Sequence, residues 1–439
     1  MTAFDTLFAG VCDLNGTLRG KRCAPGAASK LLNGSVRMPL SLAGLDIWGE
    51  DVKEGEMVFA SGDADGICRA TGRDPLPVSW TSRPSALLPM WLFEEGGEPF
   101  EGDPRHALAR IVERFAARGL TPVVATELEF HLVDASERVP RPPRSPVTGR
   151  RLGSDDVLSL DEMEHFGAFF DDVYAACEAS GIPADTALSE CGAGQFEINL
   201  QHVDDALRAA DDAVFFKRLV RGIARRHGWA ATFMAKPYGE RAGSGFHVHF
   251  SLVDEDGRNV FDDGGDAGSE SLQHAVAGTL TTMAEHTLIF APHLNSYRRL
   301  LPGGHAPSSA AWGYENRTVA VRVPGGDPRA RRIEHRVAGA DANPYLVLAA
   351  VLGGALLGLE ERWTPPSPVT GDAYALGTDL PPLPPGWGEA MVAFEAGEHV
   401  RSVFAPRLQT MLLDCKRQER ARFDAHVTDL EYRSYLETV

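Results

Sequence analysis

The chain has 439 residues, of which 44% are hydrophobic and 24% charged, and its net charge is −18. This length and composition predict a globular protein with a large core and two or three domains. The acidic balance argues against a nucleic-acid partner, because binding to phosphate backbones requires a basic surface.

The first hundred residues carry short strand-like runs and few helical patterns. Residues 5–24 predict a β-hairpin, since Asn15-Gly16 suits the tight turn between its strands. Further strand-like runs follow at Met57–Ala60 and Ser85–Leu88. Two glycines and a proline at 96–99 mark a boundary. We therefore predict a small β-rich domain over residues 1–100.

The remainder, residues 101–439, alternates between strands and amphipathic helices. Asp103 and Pro104 predict a helix start as N-cap and first helical residue, and Gly119 predicts its end. Further helical patterns lie at about 161–180, 204–227, 270–290, 343–361, 386–399 and 406–437. The pattern predicts an α+β protein whose second domain is large and mixed.

Location and redox state follow from three features. The six cysteines have no C-x-x-C spacing, which predicts reduced thiols and neither a disulfide scaffold nor a zinc site. The N-terminus has no basic-then-apolar signal segment. The longest apolar run, Leu346–Leu359, is too short to cross a bilayer and predicts a buried helix. We expect a cytoplasmic protein.

The stretch from Gly243 to Ser251 alternates strictly after two glycines. Phe246, Val248 and Phe250 fall on one side, and His247, His249 and Ser251 on the other. A period of two is typical of a half-buried strand. Its polar face carries imidazoles in place of ordinary lysine or glutamate, although one such strand alone is more often explained by two surface histidines.

Four more stretches repeat this design. Their polar positions are Glu127, Glu129 and His131; Gln195, Glu197 and Asn199; Arg317 and Arg322 at the ends of one strand; and Arg332, Glu334 and Arg336. A charged face in solvent is the commoner explanation of any single strand. Five such strands in one domain favour convergence, because strands of one sheet with a shared apolar face also share their polar face.

Converging carboxylates repel one another strongly in a low-dielectric cleft unless cations neutralise them. Carboxylates with a single imidazole per site favour Mg²⁺ or Mn²⁺ over zinc. Arginines beside such metals suit a phosphoryl group, whose oxygens a guanidinium binds bidentately. The chain has no G-x-x-x-x-G-K-[ST] loop. The combination predicts nucleotide-dependent phosphoryl chemistry with ATP held by metals and arginines.

Six motifs, in order along the chain, resemble those of the glutamine synthetase family. They are Glu127–Phe130; Glu190–Glu197; Lys236-Pro237 with Gly243–His249; Asn295–Leu300; Asn316–Thr318; and Arg331–Glu334 with Ala342–Tyr345. The resemblance is dense over residues 100–361. It implies a β-grasp-like N-terminal domain and a catalytic domain with a curved, mainly antiparallel sheet backed by helices. It also implies a homo-oligomer, a hexameric ring or a dodecamer, with each active site between neighbouring subunits.

The resemblance also implies a role for each site residue. Glu129, Glu190 and Glu197 would hold one metal, and Glu127, His247 and Glu334 the other; Gly243, Arg299 and Arg336 would bind glutamate; Arg317 would steady the transferring phosphoryl; and His249, Ser251, Arg322 and Arg332 would contact ATP. The implied reaction phosphorylates the γ-carboxylate of glutamate, because a carboxylate is a poor acyl donor until its oxygen becomes a leaving group. A neutral amine then attacks the acyl phosphate.

The chain departs from the family at the pocket for the amine. His305 stands where the family carries an acidic flap residue, and the N-terminal acidic residue is matched by Asp46 in Leu45–Gly49. An ammonium ion gains little from an imidazole that can itself be charged, whereas a bulkier amine gains apolar contact near Trp48. His305 acts either as a base or as a shaping element of the flap, and both remain open.

Residues 312–317 and 334–339 also resemble the γ-glutamylpolyamine synthetase branch of the family. We therefore expect ligation of glutamate to an organic amine: a polyamine, ethanolamine, or an alkyl- or arylamine. Two alternatives are an ammonia-dependent glutamine synthetase and a non-catalytic ring protein. The six metal ligands count against the latter, because converging charges that repel one another would only destabilise a purely structural ring.

Overall fold

The structure is a computed structural model that describes residues 4–24, 26, 30–31, 33–34, 36–53, 55–59, 62–137, 139–153, 155–301 and 303–439. Its strands are β1 Thr6–Cys12, β2 Leu18–Cys23, β3 Val36–Pro39, β4 Asp65–Ala70, β5 Leu76–Pro77, β6 Ser85–Phe93, β7 Thr121–Val133, β8 Ala184–Ser189, β9 Gln195–Val203, β10 Ala230–Thr232, β11 Phe246–Val253, β12 Trp312–Tyr314, β13 Val321–Val323 and β14 Ile333–His335. Its α-helices are α1 Glu56–Phe59, α2 Pro104–Ala116, α3 Leu160–His165, α4 Gly167–Ala179, α5 Ala206–Arg226, α6 Glu270–Met283, α7 Thr287–Phe290, α8 Ser296–Arg299, α9 Pro344–Glu361, α10 Ala373–Leu376, α11 Trp387–Ala396, α12 Glu398–Val403, α13 Pro406–Asp424 and α14 Asp429–Tyr435.

The N-terminal sheet has the order β2-β1-β6-β4-β3, with β5 paired to β6. The predicted hairpin is present, because β1 and β2 are antiparallel and Gly16 in their turn adopts a φ of 74°. β1 also runs parallel to β6, as a β-grasp-like arrangement requires. The strand predicted at Met57–Ala60 is wrong: Glu56–Phe59 is a short helix, and Ala60 lies outside the described residues. A short apolar run does not by itself distinguish the periodicity of a helix from that of a strand.

The catalytic sheet has the order β12-β13-β14-β11-β7-β9-β8, with β10 paired to β7. All its pairs are antiparallel except β12 with β13. The register places Glu127 opposite His247, Glu129 opposite Glu197, and His249 opposite Glu334. The expected α+β fold with a mainly antiparallel sheet is confirmed, and this register sets the polar positions side by side.

Helices close the apolar side of this sheet. The central one, α9, packs against α6, α2 and α5. Asn343 caps it by accepting hydrogen bonds from the backbone N–H groups of Tyr345 and Leu346. By length and composition α9 could cross a membrane, but 83% of its apolar window is buried inside the protein. It is the buried helix that the apolar run Leu346–Leu359 predicted.

Several details differ from the prediction. The helical patterns at about 161–180, 270–290 and 386–399 each correspond to two helices. The strand expected over Arg317–Val323 comprises only Val321–Val323. Asn316 Oδ1 accepts a hydrogen bond from the Thr318 N–H at 2.9 Å, which bends the chain there before the strand begins. The last predicted helix is divided into α13 and α14, because Thr428 begins a new helix with a capping box. The domain division at residue 100 falls between β6 and α2 and stays a prediction.

Candidate active site

The polar faces of β7, β9, β11 and β14 meet in one cluster. Among the described residues, three groups of potential ligands each have their atoms within 4.8 Å of one another: Glu129, Glu190 and Glu197; Glu127, Glu197 and His247; and Glu127, His249 and Glu334. The first group matches one predicted metal set. The members of the other set also meet, since His247 Nδ1 lies 3.1 Å from Glu127 Oε2 and 4.0 Å from Glu334 Oε1.

Glu127 is oriented by three neighbours. It accepts a hydrogen bond from Asn199 Nδ2 at 3.2 Å, and its oxygens pair with His247 Nδ1 and with His249 Nε2 at 2.9 Å. Burial acts to raise the pKa of Glu127, but the hydrogen bonds from the two histidines outweigh it and lower that pKa. The carboxylate is therefore held ionised. No role was predicted for Asn199, although it lies on the same alternating face as Glu197.

Glu129 is held by the glycine-rich entry to β11. Its Oε2 accepts hydrogen bonds from the Gly245 N–H at 2.8 Å and from Gln195 Nε2 at 3.0 Å. A Cβ at Gly245 would lie 2.8 Å from His247 Nε2 and 3.2 Å from Glu129 Oε1. Position 245 therefore favours glycine, because a side chain there would displace the ends of these two ligands.

The carboxylates of the cluster oppose one another's ionisation. Burial, together with the charges of Glu127, Glu129 and Glu190, raises the pKa of Glu197 to about 10. Burial and the charge of Glu129 raise the pKa of Glu190 to about 7. Bound cations would relieve this repulsion, and oxygen ligands with few imidazoles suit hard divalent metals. The residues therefore fit the metals that the family implies.

Arginines border the cluster on the side of β13 and β14. Glu334 accepts hydrogen bonds from Arg336 Nη1 and, at 3.0 Å, from Arg322 Nη1. Burial acts to raise the pKa of Glu334, but the charge of Arg336 leads the effects that lower it. The guanidinium of Arg322 also reaches Glu315 Oε1 at 3.2 Å. This border can neutralise an anionic substrate beside the cluster.

The three residues assigned to glutamate lie along one edge. Arg299 is buried and donates hydrogen bonds to the carbonyl oxygens of Val337 at 2.7 Å and Arg336 at 3.4 Å. A Cβ at Gly243 would lie 2.9 Å from Arg299 Cγ, so the backbone of Gly243 passes close to that side chain. The Gly243 carbonyl also accepts from Gln195 Nε2 at 3.0 Å, which links this edge to Glu129.

A cavity of about 680 Å³ opens at the other end of β11, lined by Ser251, Arg332 and His202 among others. Arg332 Nε donates to His249 Nδ1 at 3.2 Å. Two of the four residues assigned to ATP, Ser251 and Arg332, therefore line this cavity. His249 contacts Arg332, whereas Arg322 lies beside Glu334. Sequence reasoning missed His202, because an irregularity in the pairing of β7 with β9 disturbs the alternation just before it.

The remaining predicted residues lie outside the cluster. Both carboxylate oxygens of Asp46 are in use within the described chain: Oδ1 accepts from the N–H groups of Trp48 and Glu50, and Oδ2 accepts from Gln418 on α13 at 2.9 Å. His305 is exposed on the flap with a φ of 54°. Arg317 is exposed in the turn before β13, and its charge acts to lower the pKa of Glu190, against the larger effect of burial.

Known proteins resemble this chain in sequence and in fold. The family described as "Glutamine synthetase, catalytic domain" matches residues 101–435. The chain is 40% identical to "Gamma-glutamylputrescine synthetase PuuA" of Escherichia coli (strain K12), covering 95% of this chain and 89% of that protein. It is 31% identical to "Glutamate--isopropylamine ligase" of Pseudomonas sp, covering 99% and 95%. A solved structure described as "GmaS/ADP complex-Conformation 1" matches with a TM-score of 0.86 and 27% identity, covering 99% and 97%. The chain belongs to the glutamine synthetase family, in the γ-glutamylamine synthetase branch that its motifs predicted.

Proposed function

We propose that the chain is an ATP-dependent ligase that joins the γ-carboxylate of glutamate to an organic amine through γ-glutamyl phosphate. The observation that carries this proposal is the buried cluster of carboxylates and imidazoles with arginines along its border. Such a site suits the neutralisation of charge during phosphoryl transfer. The relatives named for ligating putrescine and isopropylamine support an organic amine as acceptor.

The cluster would hold two Mg²⁺ or Mn²⁺ ions. Glu129, Glu190 and Glu197 would bind one, and Glu127, His247 and Glu334 the other. Such ions supply Lewis-acid stabilisation to the oxygens of a transferring phosphoryl group. His249 would orient Glu127 or act as a further ligand, since its Nε2 already lies 2.9 Å from Glu127 Oε1.

Substrates would lie on either side of the cluster. ATP would occupy the cavity beside Ser251 and Arg332, while Arg317 would steady the phosphoryl group. The α-carboxylate of glutamate would bind Arg299 and Arg336. Arg336 now pairs with Glu334, so glutamate would replace that carboxylate as the partner of its guanidinium.

The acceptor site favours an organic amine over ammonium. Among the residues considered for that site, the flap offers the imidazole of His305, and the Asp46 carboxylate is already hydrogen-bonded within its own loop. An ammonium ion requires acidic partners to replace its hydration shell. His305 either accepts the proton of the attacking amine or shapes the flap. An ammonia-dependent glutamine synthetase remains the second candidate and a non-catalytic ring protein the third.

A cytoplasmic homo-oligomer, a hexameric ring or a dodecamer, is part of this proposal. Exposed apolar side chains support association: Ile47 and Trp48 on the loop of Asp46, and Leu430, Tyr432, Tyr435 and Leu436 on and beside α14. The Asp46 carboxylate is hydrogen-bonded to Gln418 of its own chain, and any catalytic role for Asp46 would be in a neighbour's site. All six cysteines are unpaired, which suits a reducing compartment.

Phosphate release from ATP tests the proposal. Full-length protein with Mg²⁺ and glutamate is assayed with ammonium, putrescine, spermidine, ethanolamine, monoalkylamines and aniline in turn. We expect an organic amine to give the highest kcat/KM. Fastest turnover with ammonium would support the second candidate, and no turnover with any amine would support the third.

A further inference from the structure

A separate cavity of about 350 Å³ lies beneath the flap that carries His305. One wall is the flap itself, with Leu301 and Ala306, and the other is the segment from Ala373 to Pro385. Backbone hydrogen bonds join these walls, including Leu383 N–H to Ser308 O at 2.9 Å and Ala310 N–H to Pro381 O at 2.8 Å. The cavity is therefore a defined feature of the fold.

This cavity adjoins the arginines that would handle glutamate and the phosphoryl group. Leu300 and Thr318, which both line it, directly follow Arg299 and Arg317 in the chain. Tyr374 lines the opposite wall. Burial raises the pKa of its phenol, and the guanidinium groups of Arg336 and Arg299 act against that rise, which places both within electrostatic reach. A ligand in the cavity would thus lie beside the arginines assigned to glutamate and to the phosphoryl group.

The lining is mostly apolar and uncharged, with hydroxyl groups on Ser308, Ser309, Thr318 and Tyr374. Leucines, prolines and alanines supply most of it, and no acidic or basic side chain stands among the described residues that line it. An alkyl chain would bury its surface favourably here. A second ammonium group would lose hydration without gaining a counter-ion, which is strongly unfavourable.

We propose that this cavity binds the hydrocarbon tail of the acceptor, and that the preferred acceptor is an alkyl- or arylmonoamine, not a diamine. This inference rests on the proposed ligase function and deepens it by naming the class of amine. Leu301 at the rim and Tyr374 on the opposite wall determine specificity without touching the reacting atoms.

Two matched comparisons test the cavity. n-Pentylamine and putrescine have the same length and differ only in a terminal methyl or ammonium group, and methylamine lacks the tail. We expect the kcat/KM for n-pentylamine to exceed that for methylamine by roughly fourfold for each methylene buried. We expect it to exceed that for putrescine at least about tenfold.

Leu301→Asp places a carboxylate at the rim of the cavity. Leu301 is 55% exposed, so the change leaves the core intact. The ratio of kcat/KM for n-pentylamine to that for putrescine should fall at least about tenfold, because the diamine gains a counter-ion. Val392→Asp, at a 66% exposed position on α11, is the matched control and should leave that ratio unchanged.

Calorimetric titration of n-pentylamine into the full-length protein separates the two proposals. Turnover with putrescine preferred, or a ratio unaffected by Leu301→Asp, overturns the cavity assignment while the ligase function stands. Another outcome is that the protein turns over no amine and still binds n-pentylamine, with binding weakened by Leu301→Asp and unaffected by Val392→Asp. That result overturns the ligase function and supports the assignment of the cavity as an amine-binding site. If the protein shows neither turnover with any amine nor binding of n-pentylamine, both proposals are overturned.

Discussion

Replacing Glu197 by glutamine should stabilise the metal-free protein. The pKa of Glu197 is raised to about 10 by burial and three neighbouring carboxylates, against 4.5 for the ordinary side chain. Between these values the folded state keeps a proton that the unfolded chain releases. Stability therefore falls as pH rises, by about 1.4 kcal/mol per pH unit. At pH 7 the free energy of unfolding has fallen by about 3 kcal/mol. Glutamine would restore this stability because it cannot ionise.

Chemical denaturation in EDTA, from pH 5 to pH 8, measures this effect. Wild type should lose stability steeply over that range, and Glu197→Gln should lose less and be about 3 kcal/mol more stable at pH 7. Added Mg²⁺ should stabilise wild type, by about 2.7 kcal/mol at a hundredfold excess over Kd, and the variant far less. Glu178→Gln, at an exposed position of α4, is the control and should behave as wild type. A variant less stable than wild type in EDTA, or with an unchanged response to Mg²⁺, would refute the reasoning.

Three further predictions concern the same site. Glu334→Ala should abolish phosphoryl transfer while leaving assembly, measured by size-exclusion chromatography, intact; wild-type turnover would remove Glu334 from the metal site. Gly245→Ala should raise the Mg²⁺ concentration needed for half-maximal activity at least about tenfold, because its Cβ would lie 2.8 Å from His247 Nε2. His305→Glu should raise the kcat/KM for ammonium relative to that for organic amines, and an unchanged ratio would contradict a role for the flap in acceptor choice.

The alternating pattern alone was enough to place most of the metal-binding candidates. Glu127, Glu129, Glu197 and His247 were predicted on strands, and each lies on the strand expected. The helix cap at Asp103 was also predicted, because a cap depends on contacts within a few residues.

Other features depended on context. The run from Met57 is helical. Its apolar residues fit the periodicity of a helix and of a strand equally well, so the choice depends on packing. The strand after Arg317 begins late because Asn316 holds a turn. His202 reaches the cavity of Ser251 beside an irregularity that depends on how two strands pair, a property of neither strand alone.

The sequence by itself therefore determined most of the elements, the family and the chemical character of the site, because periodicity and side-chain chemistry are local. Only the tertiary structure decided which residues meet. The register of β7 between β9 and β11 brings the carboxylates together, and a long-range contact with Gln418 holds the carboxylate of Asp46 against α13. Such distances arise from the packing of segments far apart in the chain, which no local pattern encodes.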